Sequence, residues 1–236
     1  MKKIVLLLAI MILPVICFAK EYQVDDINLK VGIPDDYIVL TRDNLKDNSD
    51  MKELGISEEY MVSAMNLGNI YLDIIAKDIS YEILVIVPKI DIAMNTLANV
   101  SDSMLKEVLE AMKEKTGATI GSVYKSNYNY TMVEYYDSKM NYNIVNYYTV
   151  VNAKGYNIQL QKKGTITEEE KNNLKNIVDS VNIKVLDQYK ENKKTEGTKS
   201  FNWKKVIIGT IVGAAAGGVG STIGLLIKKK MSKTSE

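Results

Sequence analysis

The feature that most restricts how this chain folds is an uncharged run of 22 residues, 206–227, close to its carboxyl end. A helix of that length rises about 33 Å, which is enough to cross the roughly 30 Å hydrocarbon core of a bilayer. Four lysines follow within six residues, and short basic tails stay on the cytoplasmic side of membranes. The sequence therefore predicts one transmembrane helix over 204–227 and a basic cytoplasmic tail over 228–236.

The amino end carries a second membrane signal. Two lysines precede an apolar run over 4–16, which is too short to cross a bilayer. Small residues follow this run at positions 17 and 19, which are Cys17 and Ala19. This pattern is typical of a secretory signal peptide over 1–19, with signal cleavage after Ala19. A lipoprotein signal acylated at Cys17 is the alternative, but the residues Pro14-Val15-Ile16 before this cysteine do not resemble a lipobox.

Cleavage of a signal peptide places the amino-terminal side of the transmembrane helix outside the cell. We therefore predict an extracytoplasmic domain over 20–185, held by a single span in the cell membrane. Residues 186–203 lose apolar periodicity and are rich in Lys, Glu, Asn and Thr, which predicts a flexible stalk of roughly 20 Å. No wall-sorting motif precedes the span, so the helix is predicted to remain as the anchor.

Five glycines lie on one face of the predicted span. At about 100° per residue they fall within an arc of about 80°, and such a ridge lets another helix approach closely. We predict a helix-packing face toward another membrane protein or a second copy of this chain. The alternative is that glycine is simply frequent in membrane helices. The five residues are Gly209, Gly213, Gly217, Gly220 and Gly224.

Composition excludes several classes of enzyme. The chain has no histidine and one cysteine, Cys17, so it cannot build a Ser-His-Asp triad, a Cys-His dyad or a zinc site of thiolates and imidazoles. The acidic pairs Asp25-Asp26 and Asp35-Asp36 lack the spacing of a calcium loop. We therefore predict a non-enzymatic protein without cofactor or metal.

Charge argues against nucleic acid as a partner. Residues 20–203 carry 22 basic and 28 acidic residues, which gives this part of the chain a net charge near −6. Binding to nucleic acid requires a basic surface.

The extracytoplasmic residues alternate between strand and helix patterns. Residues 27–33 alternate apolar and polar side chains, and the turn Pro34-Asp35-Asp36 predicts a hairpin with a strand over 37–40. Ser57 caps a helix that extends to Leu67, and a second hairpin follows over 70–76 and 81–87. Apolar spacing predicts a helix over 101–115 that covers a face of the sheet, with Gly117 at its end.

The second half of the domain reads as an antiparallel meander followed by a helix. Its predicted strands occupy 119–125, 128–136, 142–151 and 156–161, with breaks at 137–139 and at Lys154-Gly155. Thr167 and Glu170 form a capping box, and an apolar stripe continues the last helix to Ile183.

Tyrosine is concentrated in this meander, where nine of the fifteen tyrosines lie between 124 and 156. Tyrosine is common both in strands and in protein interfaces. Ordinary strand composition is one explanation, and an aromatic face for a partner is the other. The candidate partner surface consists of Tyr128, Tyr130, Tyr136, Tyr147 and Tyr148.

The order of elements predicts an α+β domain with an antiparallel sheet flanked by helices. The opening Val31-Gly32-Ile33-Pro34-Asp35-Asp36-Tyr37, the two strand-strand-helix units, the meander and the closing helix resemble the PsbP-like fold over 27–183. This resemblance implies a sandwich with six or seven antiparallel strands, in a group whose members mostly dock to other proteins. It transfers no binding residues, because no site motif is present.

These observations predict a single-pass, membrane-anchored protein-interaction module that serves as an accessory subunit of a membrane complex. The alternative is an envelope domain that binds or senses a ligand, with the tyrosine-rich sheet as the wall of its pocket.

Overall fold

The computed structural model describes residues 19–89, 92 and 94–190. The signal peptide up to residue 18, most of the stalk, and the 204–227 span with its five glycines lie outside these residues, as does the basic tail. Within the described part of the chain, no helix combines the length and the apolarity needed to cross a membrane.

The described residues form ten strands and five α-helices. The strands are β1 (Ala19–Val24), β2 (Leu29–Pro34), β3 (Tyr37–Thr41), β4 (Ile70–Ala76), β5 (Glu82–Ile86), β6 (Ile120–Lys125), β7 (Asn129–Asp137), β8 (Tyr142–Val151), β9 (Lys154–Lys162) and β10 (Asn182–Ile183). The helices are α1 (Ser49–Leu54), α2 (Glu58–Gly68), α3 (Asp102–Thr116), α4 (Glu168–Ser180) and α5 (Asp187–Lys190), the last lying within the predicted stalk.

Seven antiparallel strands form the main sheet in the order β3-β4-β5-β9-β8-β7-β6. One of its faces packs against α4 and a small antiparallel sheet of order β1-β2-β10. Helices α1 and α2 cover the β3–β5 side of the other face, and α3 covers the β6–β8 side. The α+β class and the antiparallel sheet flanked by helices are confirmed.

Local signals position α2, α3 and the start of α4 as predicted. The side chain of Ser57 caps α2, and Gly117 ends α3 with φ +73°, a backbone conformation that glycine adopts at little cost. The predicted capping box of α4 is present, with the Thr167 hydroxyl bonded to the Glu170 amide and the Glu170 carboxylate bonded to the Thr167 amide. Helix α4 ends at Ser180, three residues earlier than predicted, because the next residues extend and pair with β2.

The predicted hairpin around Pro34-Asp35-Asp36 is wrong. Strand β2 lies between β1 and β10 in the small sheet, so β1 and β10 occupy both of its edges. The turn instead carries the chain into the main sheet, where β3 pairs with β4. The sequence did not indicate β1, whose residues are mostly polar and which is held by main-chain pairing with β2, starting at Ala19 opposite Pro34.

The turn predicted at Lys154-Gly155 is wrong, and Gly155 instead lies within β9, where other side chains pack closely against its backbone. The turn between β8 and β9 lies at Asn152 and Ala153, which both have positive φ angles, 53° and 57°. A side chain at position 155 would come within 2.9 Å of the Tyr148 ring and 3.1 Å of Ile92. The glycine is therefore required within the strand by packing.

Candidate functional site

The tyrosines predicted as a partner surface lie mostly in the interior. Tyr130 and Tyr148 are fully buried and Tyr147 is nearly so, so these three cannot contact a partner in the folded domain. Tyr128 is half-buried, and its hydroxyl bonds both the amide and the carbonyl of Ile183. Only Tyr136, which is 54% exposed, lies on the surface. The physical reason is that the main sheet is covered on both faces.

One tyrosine of the meander, Tyr124, and the α4 residue Lys171 instead fix α4 to the meander. The Tyr124 hydroxyl donates to the Asp179 carboxylate, and the Lys175 ammonium lies 2.7 Å from the same carboxylate. Burial would raise the pKa of Asp179, but these hydrogen bonds outweigh it and hold the pKa below its usual value. The Lys171 ammonium adds a contact of 2.8 Å to Glu134 on β7.

The turn between β4 and β5 contains an unusual backbone conformation at Ile79. Among the residues that the structure describes, seven other than glycine have positive φ, and five of them are Asn or Asp, which tolerate it. Ile79, at φ 60°, is the β-branched residue among them. Its amide bonds the Ala76 carbonyl at 2.7 Å, and Asp78 accepts hydrogen bonds from the amide and hydroxyl of Ser80. The Ile79 side chain is 36% exposed at the tip of this turn.

An open cleft of about 280 Å³ adjoins this turn, between β3, β4 and α4. Its floor contains a pair of tyrosines, Tyr37 and Tyr81, whose hydroxyl oxygens are 2.5 Å apart, and Asn173 donates to Tyr81. Its rim contains three exposed charged side chains, Asp36, Lys77 and Asp78. Together with Ile79 these groups form what we call the turn site.

The turn site combines tyrosine hydroxyls with exposed charged groups. Burial and the hydrogen bond with Tyr81 raise the pKa of Tyr37, so its hydroxyl stays protonated at neutral pH and is a poor base. The tyrosines offer neutral hydroxyls and ring edges, and the rim offers carboxylates and one ammonium. In the part of the chain that the structure describes, no three His, Cys, Asp or Glu side chains are arranged to hold a metal ion.

A second unusual feature is a group of buried polar side chains on the helix-covered face of the main sheet. They lie on β4, β5, β8 and β9, between the area under α2 and the area under α3. We call them the polar row: Asp73, Glu82, Asn146, Asn157, Gln159 and Gln161, all exposed by 2% or less.

Hydrogen bonds connect the polar row only in part. Gln159 donates to Gln161, which donates to Glu82, and Asn146 donates to Asn157. Within the described residues, the side-chain oxygens of Asn146 and Gln159 and the side-chain nitrogen of Asn157 have no partner. Such atoms cost roughly 1–3 kcal/mol each when they stay unpaired. The alternation of polar and apolar residues on β9 was a signal for this row. Alternation alone, however, suggests that the polar side chains lie on a face of the sheet that is open to solvent.

No protein-family profile matches the chain, and no curated protein matches it. Two solved structures are similar. The solution structure of cyanobacterial PsbP (CyanoP) from Synechocystis sp. PCC 6803 is 10% identical at a TM-score of 0.42, over 72% of this chain and 94% of that one. A crystal structure from Bacteroides thetaiotaomicron VPI-5482 is 9% identical at 0.41, over 75% of this chain and 51% of that one.

The predicted resemblance to the PsbP-like fold is thus confirmed at the level of the fold. Because both TM-scores are below 0.5, no functional argument rests on these similarities.

Proposed function

We propose that this protein is a membrane-anchored extracytoplasmic interaction domain without catalytic activity, and that its turn site binds a partner protein. The observation that carries the proposal is Ile79. The left-handed conformation costs an ordinary residue about 1–2 kcal/mol, and Gly or Asn at this position would avoid that cost. Ile79 keeps this strained conformation with 36% of its surface exposed, so it offers apolar area to a partner, and strained residues cluster at sites of binding.

The surroundings of Ile79 suit an interface. Protein interfaces combine an apolar anchor with a polar rim, and tyrosine is enriched in them. Here the apolar anchor is Ile79, the tyrosines are Tyr37 and Tyr81, and the rim consists of Asp36 and Lys77 with Asp78.

The test is site-specific photo-crosslinking of the full-length protein in its native membrane. A photoreactive amino acid at position 77 should give one discrete heterologous adduct, and the same group at the exposed control position 46 should not. Ile79→Asn, which relieves the strain while removing the apolar side chain, should reduce the adduct at least tenfold. Equal adducts from positions 77 and 46 would contradict the proposal.

Anchoring by the span and coupling through its glycine ridge are further parts of this proposal, supported by the sequence pattern. Gly213 and Gly217 are at the centre of the ridge, where a larger side chain would keep a second helix away. The accessory-subunit role requires both contacts, one through the membrane helix and one through the turn site.

A ligand-binding or sensor domain is the second candidate, and the polar row is the observation that favours it. Three buried amide groups with unpaired atoms can accept and donate hydrogen bonds to a polar ligand. In a screen of neutral amides, polyols and amino acids, a compound that binds should then raise the unfolding temperature of the full-length protein. Asn146→Leu should abolish that rise, and a shift that survives this substitution would place the ligand elsewhere.

A further inference from the structure

The three longer edge strands of the two sheets differ in how they are protected against pairing with another chain. At the β3 edge the side chain of Asn44 occupies the outward main-chain groups, since it accepts from the Thr41 amide at 2.7 Å and donates to the Val39 carbonyl at 2.9 Å. At the β1 edge, Lys20 and Glu21 are exposed charges, which oppose edge pairing. Strand β10, the remaining edge, has only two residues.

Strand β6, at the opposite edge of the main sheet from β3, has no such protection. Its six residues pair with β7 in unbroken register, without proline or bulge. Its only charged residue is Lys125 at the carboxyl end, where the ammonium lies 2.6 Å from Asp102. Ile120 at the other end is 55% exposed. In the described residues no strand pairs with the outer side of β6.

We propose that the β6 strands of two copies of this protein pair antiparallel and join their main sheets into one continuous sheet. Residues opposite each other in an antiparallel pair project their side chains to the same face, whereas neighbouring residues of one strand project to opposite faces. In a two-fold pair of identical strands, the positions of two opposite residues must therefore differ by an even number. The register centred on Ser122 meets this condition. It places Ser122 opposite Ser122 of the second copy, Ile120 opposite Tyr124, and Gly121 opposite Val123.

The side chains of this register are self-complementary. Aromatic and β-branched residues, and pairs of hydroxyl residues, are favourable cross-strand partners. Lys125 lies opposite Thr119 of the second copy, so no like charges face each other. The exposed Ile120 gains an aromatic neighbour from the second copy. A two-fold contact of identical strands is also the usual symmetry of a homodimer.

Cysteine crosslinking of the full-length protein in its membrane tests the register. In a Cys17→Ala background, Ser122→Cys places two thiols on the two-fold axis, with Cα atoms about 4.5–5.5 Å apart, within the range of a disulfide. A mild added oxidant should convert most of the protein to a covalent dimer. The matched control Val123→Cys projects to the other face, with Cα atoms about 8 Å apart, and should crosslink at least tenfold less.

A charge exchange separates this contact from association through the membrane helix. Two differently tagged copies should co-purify when one carries Ser122→Lys and the other Ser122→Glu. They should separate when both carry the same charge, because like charges then face each other across the axis. Equal co-purification of all combinations, or a Ser122→Cys adduct with a different protein, would overturn the proposal. Ser122 is exposed, so these substitutions leave the fold intact.

Discussion

At the scale of single residues, the informative positions are those where a local rule is broken. Gly117 at the end of α3, the Ser57 cap and the Thr167–Glu170 box follow the rules and were predictable from sequence. Ile79 was not, because nothing in its neighbours shows that the turn requires a positive φ angle. The burial of Gln159 was also hidden, since alternation cannot show whether the second face of a strand is covered.

Ala153 offers a stability test of the same backbone conformation away from the turn site. Asn152 and Ala153 are both left-handed in a two-residue turn, a geometry that prefers Asn-Gly. We expect Ala153→Gly to stabilise the protein by about 1 kcal/mol, a rise of about 2–4 °C in the thermal unfolding midpoint. A fall in the midpoint would mean that packing of the Ala153 methyl group stabilises the protein by more than the left-handed backbone conformation of Ala153 costs.

For the polar row, we expect a double variant to be more stable than the single variant from which it is made. Asn146→Leu alone removes the hydrogen bond to Asn157 and leaves a buried amide, so we expect a loss of about 1–3 kcal/mol in unfolding free energy. Adding Asn157→Leu removes both members, and we expect the double variant to recover most of that loss in denaturant unfolding. A double variant with a lower unfolding free energy than either single variant would show that Asn146 and Asn157 make hydrogen bonds with other groups.

At the scale of elements, the sequence predicted what local periodicity determines and missed what pairing partners determine. Helices α2, α3 and α4 and the β6–β9 meander were predicted within a few residues. Strand β1, the sheet change after Pro34 and the end of α4 depend on which strand lies beside β2. Most of the tyrosines failed as a predicted surface for the same reason, because α4 and the small sheet cover Tyr128, Tyr130 and Tyr147, while α3 covers Tyr148 on the other face.

The attachment of α4 should depend on pH. The hydrogen bonds from Lys175 and Tyr124 lower the pKa of Asp179, and those from Lys162 and the Thr167 amide lower that of Glu170, each against the effect of burial. A lowered folded-state pKa contributes stability above the unfolded value, about 4, and loses it as pH falls through the folded value. The unfolding midpoint should therefore be level from pH 7 to about 5 and fall below about pH 4.

The control is the double variant Asp179→Asn with Glu170→Gln, which lacks both carboxylates. Its unfolding midpoint should be lower at neutral pH and should change less between pH 5 and pH 3. An unchanged acid slope would assign the acid sensitivity to other carboxylates.

At the scale of the whole molecule, three separate surfaces have separate proposed roles. The turn site lies near the β3 side of the main sheet, the β6 strand is the opposite edge, and the glycine ridge belongs to the predicted span. Gly213→Ile or Gly217→Ile should weaken capture of a membrane partner without changing the Ser122→Cys dimer. Capture that is unchanged by both substitutions would show that the ridge reflects only the composition of a membrane helix.

The most direct test of the proposed function measures thermal unfolding and crosslinking from position 77 on the same Ile79→Gly protein. We expect changes of opposite sign: the unfolding midpoint rises by about 2–4 °C as strain is relieved, while the heterologous adduct falls at least tenfold. Ala153→Gly, the matched control, should raise the midpoint and leave the adduct unchanged. An Ile79→Gly protein that gains stability and keeps its adduct would contradict a role for this turn in binding.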